Sequence, residues 1–80
     1  MENKNIAGEK IKISRLKRKT ILQQKDLIAK MQLEGIHMSK NILSRIENNQ
    51  RYITDIELKA FAKVLDVSIS WLLYETDKSV

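Results

Sequence analysis

Apolar residues recur along the chain at helical spacing, strand-like alternation is nearly absent, and no proline interrupts the pattern. The pattern predicts five helices joined by short turns. The first spans about Ala7 to Lys19 and turns Ile11 to the core. The second spans Gln24 to Leu33, where Leu27, Ile28 and Met31 form an apolar stripe. Gly35 breaks that stripe, so Glu34 to Met38 reads as a turn. Ser39 is placed to cap a third helix, because its hydroxyl can accept from a first-turn amide that lacks a helical partner. In the segment SKNILSRIEN a step of about 100° per residue puts Leu43 and Ile46 on one side, flanked by Ile42. Asn41, Ser44, Arg45 and Asn48 fall on the opposite side, with Lys40 at its edge. Thr54 and Glu57 have the spacing of a capping box and open a fourth helix, whose Leu58, Phe61, Ala62 and Leu65 lie on one face. Val67 packs at its exit, Ser68 caps again, and Ile69, Trp71, Leu72 and Leu73 make a short fifth helix.

These elements predict an all-α domain over residues 6–74, with residues 1–5 and 75–80 as flexible termini. Its expected core is Ile11, Leu27, Met31, Leu43, Ile46, Leu58, Phe61 and Leu65, with Trp71 as a packing residue or a dimer contact. Eighty residues support one core and not two. The apolar share of 42% and charged share of 31% argue against wholesale disorder. With no cysteine there is neither a disulfide framework nor a thiolate metal site, and His37 stands alone, so no metal is expected. The carboxylates are scattered without a nucleophile or base to join, so no catalysis is expected. No apolar run is long enough for a membrane span and the start lacks a signal-peptide stretch. A cytoplasmic protein is the expectation.

Charge changes the picture more than composition does. Met1 to Lys25 holds eight Lys or Arg against Glu2 and Glu9, a net of +6, whereas Asp26 to Val80 is close to neutral. Arg15, Lys17, Arg18 and Lys19 form the densest part. A basic surface on so small a domain points to a polyanion partner. A helix ending near Leu33, a turn with glycine and a helix opening at Ser39 make a helix-turn-helix, whose second helix fits a major groove about 12 Å wide. A helix that reads DNA needs one face to anchor it and one to offer polar groups, and Ser39 to Asn48 has both. Arg45 suits a guanine edge and Asn41 an adenine edge.

Three motifs in order, Gln24-Lys-Asp-Leu27, SKNILSRIENNQR and TDIELKAFAKVLDVSISWLL, resemble those of the Xre family, the lambda-repressor and Cro type of helix-turn-helix. The resemblance covers about Ile6 to Leu73. It implies a compact five-helix lambda-repressor-like domain that acts as a DNA-binding transcriptional regulator, a repressor, bound as a homodimer to a palindromic operator on double-stranded DNA. No cofactor, small-molecule ligand or membrane is implied. By the same resemblance Lys40, Asn41, Ser44 and Arg45 occupy base-reading positions, while Gln24, Ser39, Asn48, Asn49, Arg51 and Tyr52 fall at DNA-backbone positions. Glu47 matches an acid that pairs with a first-helix arginine, here Arg15, with Lys17 as the alternative. The chain departs from the pattern in three places. The turn from Gln32 to Met38 is longer than the short family turn, as in a known subclass. The stretch from Arg15 to Gln24 is about two residues longer, and Gln23 stands where Thr or Ser is preferred as a cap. The rival expectation is an antitoxin or adaptor that binds protein through Trp71, Leu72, Leu73 and Tyr74.

Overall fold

The computed structural model describes residues 3–74. Its five helices are α1 (Gly8–Leu16), α2 (Gln24–Leu33), α3 (Lys40–Glu47), α4 (Asp55–Leu65) and α5 (Ile69–Leu73). Local chemistry accounts for most boundaries. Ser39, Thr54 and Ser68 each accept a hydrogen bond from the amide three residues on, at 3.1, 3.1 and 3.0 Å. Glu57 completes the α4 capping box by accepting from the Thr54 amide at 3.0 Å. At the start of α2 the Asp26 carboxylate accepts from the Gln23 amide at 3.0 Å, so an acidic N3 residue fixes a helix whose cap is neither Ser nor Thr.

Helices α2, α3 and α4 end alike. Gly35, Asn49 and Asp66 adopt left-handed conformations, with φ of 83°, 61° and 57°. In each case the two amides that follow the helix bond back into its last turn, among them Ile36 to Met31, Gln50 to Arg45 and Val67 to Ala62. This is the Schellman arrangement, which satisfies carbonyls that the helix leaves unpaired. Only one of the three positions is glycine; Asn and Asp are the other residues that tolerate this region.

The first helix is shorter than its sequence pattern suggests. It stops at Leu16 and not at Lys19, because Lys17-Arg18-Lys19 offers no apolar side chain to the core, and the Leu22 amide bonds to the Arg15 carbonyl at 3.1 Å as the chain turns back. Leu22 takes the vacant core position. Ile11, Leu27, Met31, Leu43, Ile46, Phe61 and Leu72 are fully buried, and Leu65 nearly so. Leu58 is only half-buried at the edge of this core, and Trp71 is 39% exposed, so Leu72 and not Trp71 anchors α5. Helix α1 packs on α3 and α4, α2 on the same two helices, and α5 on α4. Helix α3 is thus held from two sides.

The N-terminal segment belongs to this arrangement. The Lys4 amide donates to the Asn49 carbonyl at 2.9 Å, and Asn5 Nδ2 donates to the carbonyls of Ile46 at 3.1 Å and Arg51 at 2.7 Å. Asn5 Oδ1 accepts from the Gly8 amide at 2.7 Å. Residues 4 and 5, placed in a flexible terminus by the sequence pattern, are therefore bonded to the exit of α3. A Cβ on Gly8 would overlap the Ile46 carbonyl oxygen, so the glycine is what lets α1 approach α3 this closely. Residues 1–2 and 75–80 of the expected flexible termini lie outside the described residues.

Candidate nucleic-acid interface

Helix α3 has one side locked and one side open. Leu43 and Ile46 are fully buried, whereas Lys40, Asn41, Arg45 and Asn48 are exposed along the opposite side. Ser39 uses its hydroxyl on the Ile42 amide, which fixes the start of the helix.

An internal ion pair fixes the tilt of α3. Arg15 Nε donates to Glu47 Oε2 at 2.8 Å and Nη2 to Oε1 at 2.9 Å, with both side chains under one-tenth exposed. Arg15 Nη1 also donates to the Leu22 carbonyl at 3.0 Å. One guanidinium therefore joins α1, the connection to α2, and α3. Lys17, the alternative partner, is exposed and forms no ion pair among the described residues. Gln24 Nε2 adds a bond to Glu47 Oε1 at 3.2 Å and another to Ser44 Oγ at 3.1 Å. The expected phosphate ligand and one expected base reader thus face each other across the α2–α3 interface, where Ser44 is half-buried. Ser44 reaches a base only by giving up part of that contact.

Arg51, expected at a DNA-backbone position, is engaged within the fold. Its Nη1 and Nη2 donate to the two Glu57 carboxylate oxygens at 3.0 and 3.1 Å, and Nη1 also reaches the Tyr52 carbonyl at 3.0 Å. Burial by itself would raise the Glu57 pKa. The Arg51 bonds and charge, with the Thr54 amide, outweigh burial and hold the carboxyl below the usual glutamate range. The capping carboxylate of α4 is also the counter-ion of Arg51, which the sequence pattern did not reveal because a capping box reports only the local use of Glu57. Asn49 is the left-handed residue at the end of α3, and its Oδ1 is buried without a partner. Asn48 and Tyr52 are exposed, and Lys4 Nζ lies 5.5 Å from the centre of the Tyr52 ring.

Asn5 and Gly8 position α3 and were absent from the expected site. The Asn5 bonds span more than forty residues, so no local pattern could signal them. Beside the N-terminus of α3, Leu16, Ile21, Gln24, Lys25 and Lys40 border an open groove of about 330 Å³. Among the described residues no group of His, Cys, Asp or Glu is arranged to hold a metal, and no helix is long and apolar enough to cross a membrane. No curated protein and no solved structure matches the chain. The helix-turn-helix family pattern matches residues 11–72, from the core residue of α1 to that of α5, and the chain belongs to that DNA-binding, non-enzymatic family in its Cro-type, Xre-like form.

Proposed function

We propose that this protein is a sequence-specific transcriptional repressor that binds a palindromic operator as a homodimer, each α3 entering a major groove. The observation that carries the reading is the contrast among three arginines. Arg15 and Arg51 each make a two-pronged bond to a glutamate, whereas Arg45, exposed on α3, has no side-chain hydrogen bond or ion pair among the described residues. A free planar fork on a rigid helix suits the two acceptors of a guanine edge. Asn41 lies one turn before it and suits adenine, with Lys40 at the mouth of the groove. Lys25, at the start of α2, takes the flanking phosphate, where the unpaired amides of a helix N-terminus favour an anion; Gln24 joins it only by releasing Ser44 or Glu47. Exposed Ile69, Trp71, Leu73 and Tyr74 on and beside α5 are the surface for the second copy. Leu72, fully buried, takes no part in it.

Selection of binding sites from a random duplex pool tests this reading. The expected result is an enriched palindrome whose half-sites are about one helical turn, roughly 34 Å, apart. Arg45→Ala should then lose about 1–3 kcal/mol of discrimination at one position of each half-site while keeping its affinity for random DNA. Equal losses on both duplexes would remove Arg45 from the reading face. No enrichment by folded protein would favour the adaptor role.

A further inference from the structure

We infer that the DNA backbone at the C-terminal end of α3 is held by two lysines from outside the helix-turn-helix, Lys4 on the N-terminal segment and Lys12 on α1, and not by Arg51. This rests on the DNA-binding reading above and names the residues that complete it.

The need for such residues follows from charge. The connection from Asn48 to Thr54 holds a single cation, Arg51, and Glu57 neutralises it. The C-terminal end of α3 carries the negative end of the helix dipole. Arg45, in the last turn of α3, is the base reader of the proposal above, so a phosphate passing this end would meet no free cation on the segment that follows the helix.

Lys4 and Lys12 supply it by position. Lys4 is fixed at the exit of α3 by its amide bond to the Asn49 carbonyl and by the two bonds of neighbouring Asn5. Its ammonium lies over the exposed Tyr52 ring, a contact that keeps the charge intact. Lys12 lies on the outer side of α1, where Glu9, Lys12, Leu16, Asn48 and Asn49 border an open groove of about 460 Å³. Leu16 also borders the groove that holds Lys25 and Lys40, so the two grooves adjoin at the end of α1. Neither Lys4 nor Lys12 forms an ion pair among the described residues. Together with Lys25 and Lys40 they place free cations at both ends of the reading helix, as a phosphate track on either side of a groove requires. Glu47 in this groove is paired with Arg15, which leaves Glu9 as the carboxylate that opposes an anion there.

The test measures the affinity of a random-sequence 30-base-pair duplex between 50 and 200 mM salt, with folding checked by circular dichroism. Each phosphate contact contributes about 0.9 to the slope of log affinity against log salt, or roughly 3.5-fold over this range. Lys4→Ala and Lys12→Ala should each lower the slope by about that much per protomer. Arg51→Gln should leave the slope unchanged, whatever it costs in stability. Glu9→Gln should tighten binding on every sequence by a few-fold, a gain that misfolding cannot imitate. An unchanged slope in both lysine variants, or a fall of about 0.9 in Arg51→Gln, overturns the assignment while leaving the DNA-binding reading intact. If the parent protein fails to bind any duplex at 50 mM salt, the underlying reading fails with it.

Discussion

Arg15 and Glu47 are a buried pair whose energetic role lies in what happens when one partner is lost. Removing two charges from water costs about as much as their attraction returns, so the pair adds little stability by itself. Its loss on one side leaves a stranded charge. Arg15→Ala leaves the Glu47 carboxylate buried with only Gln24 for company and should cost about 3–5 kcal/mol in urea unfolding. Arg15→Lys keeps the charge but loses the fork, and falls between. A loss below about 1 kcal/mol for the alanine variant, typical of an exposed pair, would contradict the buried geometry. Glu57 makes the segment between α3 and α4 sensitive to acid. Its folded pKa lies below its unfolded one, so its contribution is fully present above the ordinary glutamate value. That contribution fades as pH falls through about 4.3 and is gone once the pH is below the folded pKa. Glu57→Gln should therefore flatten the stability profile in this acid window, and a profile parallel to the parent protein's would show that the Arg51 pair does not discriminate between folded and unfolded chains.

The helix ends show how the elements were specified. The starts of α3, α4 and α5 were legible, because a cap and the amide it satisfies lie within three residues, whereas α2 was placed by its apolar stripe and Gln23 gave no cap signal. The left-handed exits were legible only at Gly35; Asn49 and Asp66 carry the same signal more weakly, since Asn and Asp also serve as caps and solvent-facing residues. The end of α1 was misjudged because charged residues are good helix formers, and only the burial of Leu22 shows where the chain must turn. Among these ends Asp66 is a stability defect. It is exposed, holds φ of 57°, and puts a carboxylate at the negative end of α4. Asp66→Gly should stabilise the domain by about 1 kcal/mol through relief of both penalties. For a domain of this size that is a rise of about 4–8 °C in Tm. Destabilisation would mean that the Asp66 side chain has a partner that outweighs the strain.

At the scale of the whole molecule, sequence charge overstates the charge available to a partner. The surplus of +6 in Met1 to Lys25 includes Arg15, which is neutralised inside the fold, and Arg51 is cancelled in the second half. The polar face of α3 was legible because helical spacing separates it from Leu43 and Ile46. The fate of each arginine was not, because pairing across 32 residues, as between Arg15 and Glu47, depends on the packing of separate helices. The cations beside or on α3 that lack an ion pair among the described residues are Lys4, Lys12, Lys25, Lys40 and Arg45. This set makes oligomeric state readable from salt dependence. Arg45 serves a base edge, so the four lysines set the slope: if all engage phosphate, one protomer has a slope of at most about −3.6 and two about −7.2. Between 50 and 200 mM salt these slopes correspond to losses of roughly 150-fold and 2 × 10⁴-fold. On a palindromic duplex the homodimer should approach the larger loss, and on a single half-site the smaller. The same modest loss on both duplexes would leave one protomer per site, and α5 would then have to serve some other partner.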